Sequence, residues 1–331
     1  MKIIDEMQKE DIDTLLILNF NNIDYLAGFR PSASSILIVK DEPVLFTNQM
    51  DMEDALLNSK IPVEELKSLK ELKKSLNGTI GLESSMNIQT FENLKKDVSL
   101  ETKITDIVER MRSIKTNEEL KNIEKALEIA EEAFKSTEFD NNKTENEIAA
   151  EIEYNMRLKG AKKASFDTIV ASGKRSSLPH ADVSSNTLQR PIVIDWGALY
   201  NNYCSDTTRT IIQTERHEEI FDIVLEAQKS AIAAIKPGVK ACEVDKAARD
   251  VITEYGYGES FIHSTGHSVG LEIHENPSLS KRDETTIEKG MVITVEPGIY
   301  LKDDFGVRIE DMIHVTNKGR VLNKLNAKIN I

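Results

Sequence analysis

His263-Ser264-Thr265-Gly266-His267-Ser268-Val269-Gly270-Leu271-Glu272-Ile273-His274-Glu275-Asn276-Pro277 holds three of the chain's six histidines. Glycines at 266 and 270 let the backbone crowd or turn beside His267. Cores disfavour imidazoles, because each brings a nitrogen that must find a partner. Metals favour them, since neutral imidazole is the commonest nitrogen ligand. A single histidine in a loop is more often surface or filler. The reading therefore turns on whether carboxylates elsewhere match this stretch.

Two acidic pairs do. Upstream, the β-prone runs of Val193–Thr210 flank Asn201-Asn202 and read as a hairpin. Pairing about an axis between Tyr200 and Asn201 sets Asp195 opposite Asp206, with Cβ atoms roughly 5 Å apart. Like charges so placed repel unless a cation lies between them. Downstream, Met291–Tyr300 and Gly306–Ile313 flank Asp303-Asp304. Pairing about Asp303 sets Glu296 opposite Glu310. Alternation puts Ile293, Val295 and Ile299 on one face and Thr294 and Glu296 on the other, while Arg308, Glu310, Met312 and His314 share a face. Glutamates inside apolar runs are expected to be buried, and buried carboxylates need a partner or a metal. Hard oxygens with one imidazole suit manganese, cobalt, iron or zinc. Four carboxylates exceed the need of one ion and fit two, about 3.5–4 Å apart. His267 and His274 are seven residues apart, so a straight strand would send them to opposite faces; if both are to face the metals, a bulge or turn near Gly270 must break the alternation.

These blocks, in this order, resemble the pita-bread metallopeptidases, the family of methionine aminopeptidase, aminopeptidase P and prolidase. The resemblance is carried by Asp195 and Asp206, His263 to His267 with His274, Thr294-Val295-Glu296-Pro297-Gly298, and Arg308-Ile309-Glu310-Asp311. Phe166–Gly173 and Leu178-Pro179-His180-Ala181 match the stretch ahead of the first aspartate. Arg112-Ser113-Ile114-Lys115-Thr116-Asn117-Glu118-Glu119 matches the start of the catalytic domain. All five expected ligand positions are kept. The resemblance implies an α+β fold: a pita-bread catalytic domain over 111–331 behind a smaller N-terminal α/β domain of the creatinase and prolidase type over 1–110.

It also implies roles. Asp195, Asp206, His267, Glu296 and Glu310 would hold two divalent ions per subunit, Mn2+ or else Co2+ or Zn2+, with Asp206 and Glu310 as bridges. Glu296 would shuttle the proton, with His274 and His180 as further catalytic groups. His180, His263, His274 and Arg308 would bind substrate or orient a ligand. The implied reaction is cleavage before proline in a small peptide with proline second: an Xaa-Pro dipeptidase, with aminopeptidase P as alternative. A dipeptidase must hold a free carboxylate, for which Arg30, Arg175, His180 and His263 are candidates. A metal-free creatinase-like hydrolase or a non-catalytic binding module would have lost the ligand set. The family also implies a homodimer, in which one subunit's front domain helps enclose its partner's site.

Composition agrees with a cytoplasmic enzyme. The chain has 331 residues, 40% hydrophobic, and a formal net charge of −14. That charge disfavours nucleic acid and anionic membranes as partners. There are two cysteines, Cys204 and Cys242, without disulfide or zinc spacing. No apolar leader and no run of membrane-spanning length is seen. The first ~110 residues alternate short apolar runs with helices expected near 51–59, 64–76 and 88–97, an α/β pattern. Helices are expected at 117–137 and 144–159, opened by capping boxes at Thr116 and Thr144, and at about 216–235 and 242–255. The domain boundary is set between Thr105 and Thr116. His217 reads as an exposed helix residue, His314 as outside the ligand set, and Trp196 as packing.

Overall fold

Leu15-Leu16-Ile17 is apolar throughout, so both faces of its strand must be covered. In the computed structural model, which describes residues 2–73, 76–96 and 101–329, it lies at the middle of a six-stranded sheet. The chain divides into two units, 1–112 and 113–331. The strands of the first are β1 (Thr14–Ile17), β2 (Ser35–Val39), β3 (Pro43–Thr47), β4 (Val63–Glu65), β5 (Thr79–Glu83) and β6 (Glu101–Thr105), in the order β4-β3-β2-β1-β5-β6. Its helices are α1 (Lys2–Lys9), α2 (Phe20–Ala27), α3 (Met52–Asn58), α4 (Leu69–Lys73), α5 (Ile88–Lys95) and α6 (Ile107–Ser113). The helix expected near 64–76 starts later. Val63–Glu65 instead pairs in parallel with Leu45–Thr47 as an edge strand, and positions 74–75 lie outside the described residues; the helix expected at 88–97 ends at Lys95, and position 97 lies outside the described residues.

The second unit begins with two long helices, α7 (Asn117–Lys135) and α8 (Glu145–Leu158). Each opens on the expected capping box: Thr116 with Glu119, and Thr144 with Glu147. Strands β7 (Lys163–Ala164), β8 (Ile169–Ser172), β9 (Ile192–Trp196), β10 (Ala198–Tyr200), β11 (Tyr203–Cys204) and β12 (Thr207–Ile211) follow. Then come α9 (Glu215–Ala234), α10 (Ala241–Glu254), β13 (Gly266–Ser268), β14 (Glu275–Leu279), β15 (Val292–Val295), β16 (Gly298–Leu301), β17 (Phe305–Arg308), β18 (Asp311–Val315) and β19 (Gly319–Val321). Two sheets matter most, β12-β9-β8 and β14-β13-β15-β18-β19. Helices α7 and α8 pack Ala130, Phe134, Ile148 and Ile152 against Val170, Ile194 and Trp196. Helices α9 and α10 pack Phe221, Val224 and Val244 against Ile293, Val295, Ile309 and Ile313. Alternation then turns Asp195 away from the helical layer. Among the described residues no helix is long and apolar enough to cross a membrane.

The first hairpin forms, but two residues out of the expected register. Its axis lies between Asn201 and Asn202, since Tyr200 pairs Tyr203 and Leu199 pairs Cys204. Both asparagines have positive φ, 47° and 65°, as a two-residue hairpin turn of the primed kind requires. Asp195 therefore pairs with Thr208 rather than Asp206. A slip of one residue would have thrown the acids to opposite faces; a slip of two leaves them on the same face. The second hairpin keeps the expected axis. Leu301 pairs Phe305 about Asp303, whose φ is 60°. Val295 pairs Asp311 on one side, and Gly298 pairs Arg308 on the other. Glu296 and Glu310 sit at the break between these two ladders.

Candidate active site

The break in the ladders positions the acids. Freed from regular pairing, Glu310 donates its N–H to Thr208 O at 3.1 Å, and Glu296 donates its N–H to Thr265 O at 2.7 Å. The irregularity that brings the histidines together lies between His267 and Ser268. There the partner of β13 jumps from Ser278 to Glu275, a step earlier in the chain than Gly270. The His267 and His274 rings consequently meet edge to face, with centroids 4.5 Å apart. Thr294 Oγ1 accepts the His267 N–H at 3.1 Å and fixes the backbone there.

Ligand-type atoms of Asp206, His267 and Glu310 all lie within 4.8 Å of one another. His267 Nε2 stands 3.6 Å from Asp206 Oδ2 and 3.4 Å from Glu296 Oε1. Asp195 Oδ2 accepts from Arg308 at 2.7 Å, and Glu310 Oε2 accepts from Thr208 Oγ1 at 2.8 Å. The other oxygen of each, Asp195 Oδ1 and Glu310 Oε1, is buried without a hydrogen-bond partner. Nine of the residues singled out from sequence line one cavity of about 570 Å³: Asp195, Asp206, His267, Glu296, Glu310, His180, His263, His274 and Arg308. His180 is exposed there, whereas Asp206, His267, Arg308 and Glu310 are buried.

Burial dominates the electrostatics. It pushes Asp206 and Glu310 well above the usual carboxylate range, and the neighbouring carboxylates push in the same direction. Burial, then the Asp195 charge, pushes Glu296 up to about 7 against the pull of Arg308. Loss of solvent lowers His267 and His274, and lowers His263 to about 4 with help from the Arg308 charge. A bare site thus favours neutral imidazoles and protonated acids. Divalent cations fit these residues: they would replace the protons, satisfy the two orphaned oxygens and offset the repulsion.

Arg308 holds more than Asp195. It also donates to Tyr300 Oη at 2.9 Å and to Pro179 O at 3.1 Å. Tyr300 Oη lies 2.9 Å from His263 Nε2, so one chain of contacts runs from His263 to Asp195. Sequence reasoning missed Tyr300, Thr208 and Arg209. Arg209 is fully buried and donates to Asp311 Oδ1 at 2.7 Å, to the Glu310 carbonyl, and to Leu325 O and Asn326 O. A guanidinium set inside Thr207-Thr208-Arg209-Thr210 was the available signal. Lys115 and Glu275 form a buried ion pair at 3.0 Å beside the histidine bulge. Arg175, in the same unit, is not among the residues lining the cavity and turns to Glu145 at 3.1 Å; Arg30, in the first unit, bonds the Asn21 side chain. His217 is half-buried rather than exposed, its ring packed on Phe305 at 4.7 Å.

The family model "Metallopeptidase family M24" matches residues 121–317, and "Creatinase/Prolidase N-terminal domain" matches 1–114. The chain is 47% identical to the Xaa-Pro dipeptidase of Pyrococcus horikoshii, over 96% of this chain and 94% of that one. It is similar to the solved prolidase of Pyrococcus furiosus, with TM-score 0.92 and 45% identity over 98% and 99% of the two chains. It is also similar to an X-Pro aminopeptidase from Thermotoga maritima, with TM-score 0.91 and 38% identity over 99% and 98%. With the family model matching 121–317 and a 47% identical relative covering 96% of its length, the chain belongs to metallopeptidase family M24.

Proposed function

We propose that this protein is a two-metal Xaa-Pro dipeptidase. The observation that carries it is the full-length similarity to the Pyrococcus horikoshii dipeptidase at 47% identity. The single cavity lined by the five ligand-type residues supports it. Asp195, Asp206, His267, Glu296 and Glu310 would hold two ions, Mn2+ being our choice over Co2+ and Zn2+. When bound, such ions polarise a carbonyl and lower the pKa of water.

The chain's own groups do the rest. Arg308 fixes Asp195 through Oδ2 and leaves Oδ1 free to ligate. Glu296, with a carboxyl poised near neutrality when bare, takes a proton and returns it to the leaving nitrogen. His274 and His180 face the cavity and bind the substrate's carbonyl and its terminal carboxylate by N–H donation. His263 stays neutral beside Tyr300 and shapes the pocket wall. With Arg175 held by the buried Glu145, we assign capture of the carboxylate within this unit to histidine. We further propose a homodimer and a cytoplasmic location.

The test is a hydrolysis panel of Ala-Pro, Leu-Pro, Ala-Ala and Arg-Pro-Pro, with Mn2+, Co2+ and Zn2+ in turn. Ala-Pro and Leu-Pro are expected to be cleaved fastest. The likeness to the Thermotoga maritima X-Pro aminopeptidase makes that activity the second reading; faster cleavage of Arg-Pro-Pro would establish it instead.

A further inference from the structure

His180 sits on the segment between β8 and β9, shortly after the 3-10 turn Gly173–Ser177. A hold on this segment from outside it lies at the start of α8. Glu145, the first residue of that helix, is fully buried. Its Oε1 accepts from Ser172 N at 2.8 Å and Ser172 Oγ at 3.0 Å. Its Oε2 accepts from Arg175 Nε at 3.1 Å, Ser184 N at 3.1 Å and Ser184 Oγ at 2.6 Å. One carboxylate therefore grips both ends of the segment 172–184. Arg175 continues the grip through the Asp182 carbonyl. The backbone adds two bonds in the same place, Glu145 N to Asn186 O and Asn146 N to Ser184 O.

We infer that Glu145 is a positioning residue for His180, acting through this loop. A buried carboxylate is costly unless fully bonded, and five donors meet this one. Charge-assisted bonds of this kind are about twice as strong as neutral ones. The middle of the loop is tied to the site separately: Ser176 Oγ accepts from Gly306 N at 2.9 Å, and Pro179 O accepts from Arg308 at 3.1 Å. Glu145 fixes the ends and Arg308 the middle. His180, exposed and next to Pro179, is thereby aimed into the cavity without a partner of its own being required. Its exposure leaves it free to meet substrate. The inference rests on the dipeptidase reading for what His180 binds.

A double-mutant cycle tests it, with Mn2+-loaded full-length protein and Ala-Pro as substrate. Glu145→Gln is expected to raise KM roughly tenfold, the scale set by misplacing a substrate-binding group, with kcat and bound metal within about twofold. In the His180→Ala background the same change is expected to do almost nothing further. Hydrogen exchange of the 173–183 peptides is expected to quicken in Glu145→Gln while exchange of the 292–313 strands holds. Should Glu145→Gln fail to fold, the Ser172→Ala/Ser184→Ala pair removes donors at both ends and carries the same expectations. Additive effects in the cycle, a loss of metal that accounts for the defect, or unchanged loop exchange would overturn the inference. So would a His180→Ala protein with normal KM. The panel above judges the dipeptidase reading separately, since exchange of the loop reads out whatever the substrate is.

Discussion

As a proposed metal ligand, Glu296 would exchange a proton for a cation near neutral pH. Its carboxyl is pushed up to about 7, and burial with the neighbouring carboxylates raises Asp206 and Glu310 well above their ordinary range too. Metal binding near neutral pH should therefore release protons. Calorimetry in buffers of differing ionisation enthalpy is expected to show that release at pH 6.5 and to show it shrinking as the pH rises past about 8; buffer-independent heats would contradict it. The same shifts set a stability slope. The folded apo-protein binds more protons than the unfolded chain between the ordinary carboxylate range and about 7, so these acids make it less stable as pH rises. The lowered histidines act the other way, but only below their ordinary 6.5. From about pH 6.5 to about 8 the acids stand alone, and the chelated protein's Tm is expected to fall while the loaded protein's holds. His267, already neutral below its usual range, is not the group that acidification must charge first; the acids regain their protons before it does. Thr208→Val offers a smaller test. It strips the bond to Glu310 Oε2 and is expected to weaken metal binding about 10–100-fold in a competition titration with a chromophoric chelator.

At the level of elements, hairpins and faces were legible because their causes are local. Alternation in Ile293–Val295, the Asn201-Asn202 turn and the capping boxes are each written within a few positions. The two-residue slip was not legible, since a turn centred one bond earlier satisfies the same pattern. Nor was the break at Glu296 and Glu310, which arises where two ladders with different partners meet. Edge strands β4 and β6 are polar on their open sides and carry almost no apolar signal. Thr208, Arg209 and Glu145 look like ordinary strand and helix-start residues, because partners such as Asn326 and Ser172 lie 117 and 27 positions away. One glycine within these elements gives a sharp expectation. A Cβ at Gly266 would fall 2.0 Å from Thr294 O, where β13 must approach β15. Gly266→Ala is expected to cost about 1–3 kcal/mol in a denaturant titration and to weaken metal binding, because Thr294 Oγ1 also holds the His267 backbone. An unshifted midpoint would mean that the two strands can part freely.

For the whole molecule, light scattering at micromolar concentration is expected to give twice the 37.2 kDa of one chain; the mass of a single chain would rule out the dimer. The segment 323–326 matters more than its distance in sequence from the site suggests. Arg209 reaches the Glu310 carbonyl with one hand of its guanidinium and the carbonyls of Leu325 and Asn326 with the other. Asn323 joins in, accepting from Met312 N at 2.7 Å and donating to Thr207 Oγ1 at 2.9 Å. The segment 323–326 is therefore a poor place to cut or alter the chain. A proteolytic clip there would pull on the floor beneath Glu310, a proposed metal ligand, and the first symptom would be poor metal retention through dialysis rather than visible unfolding.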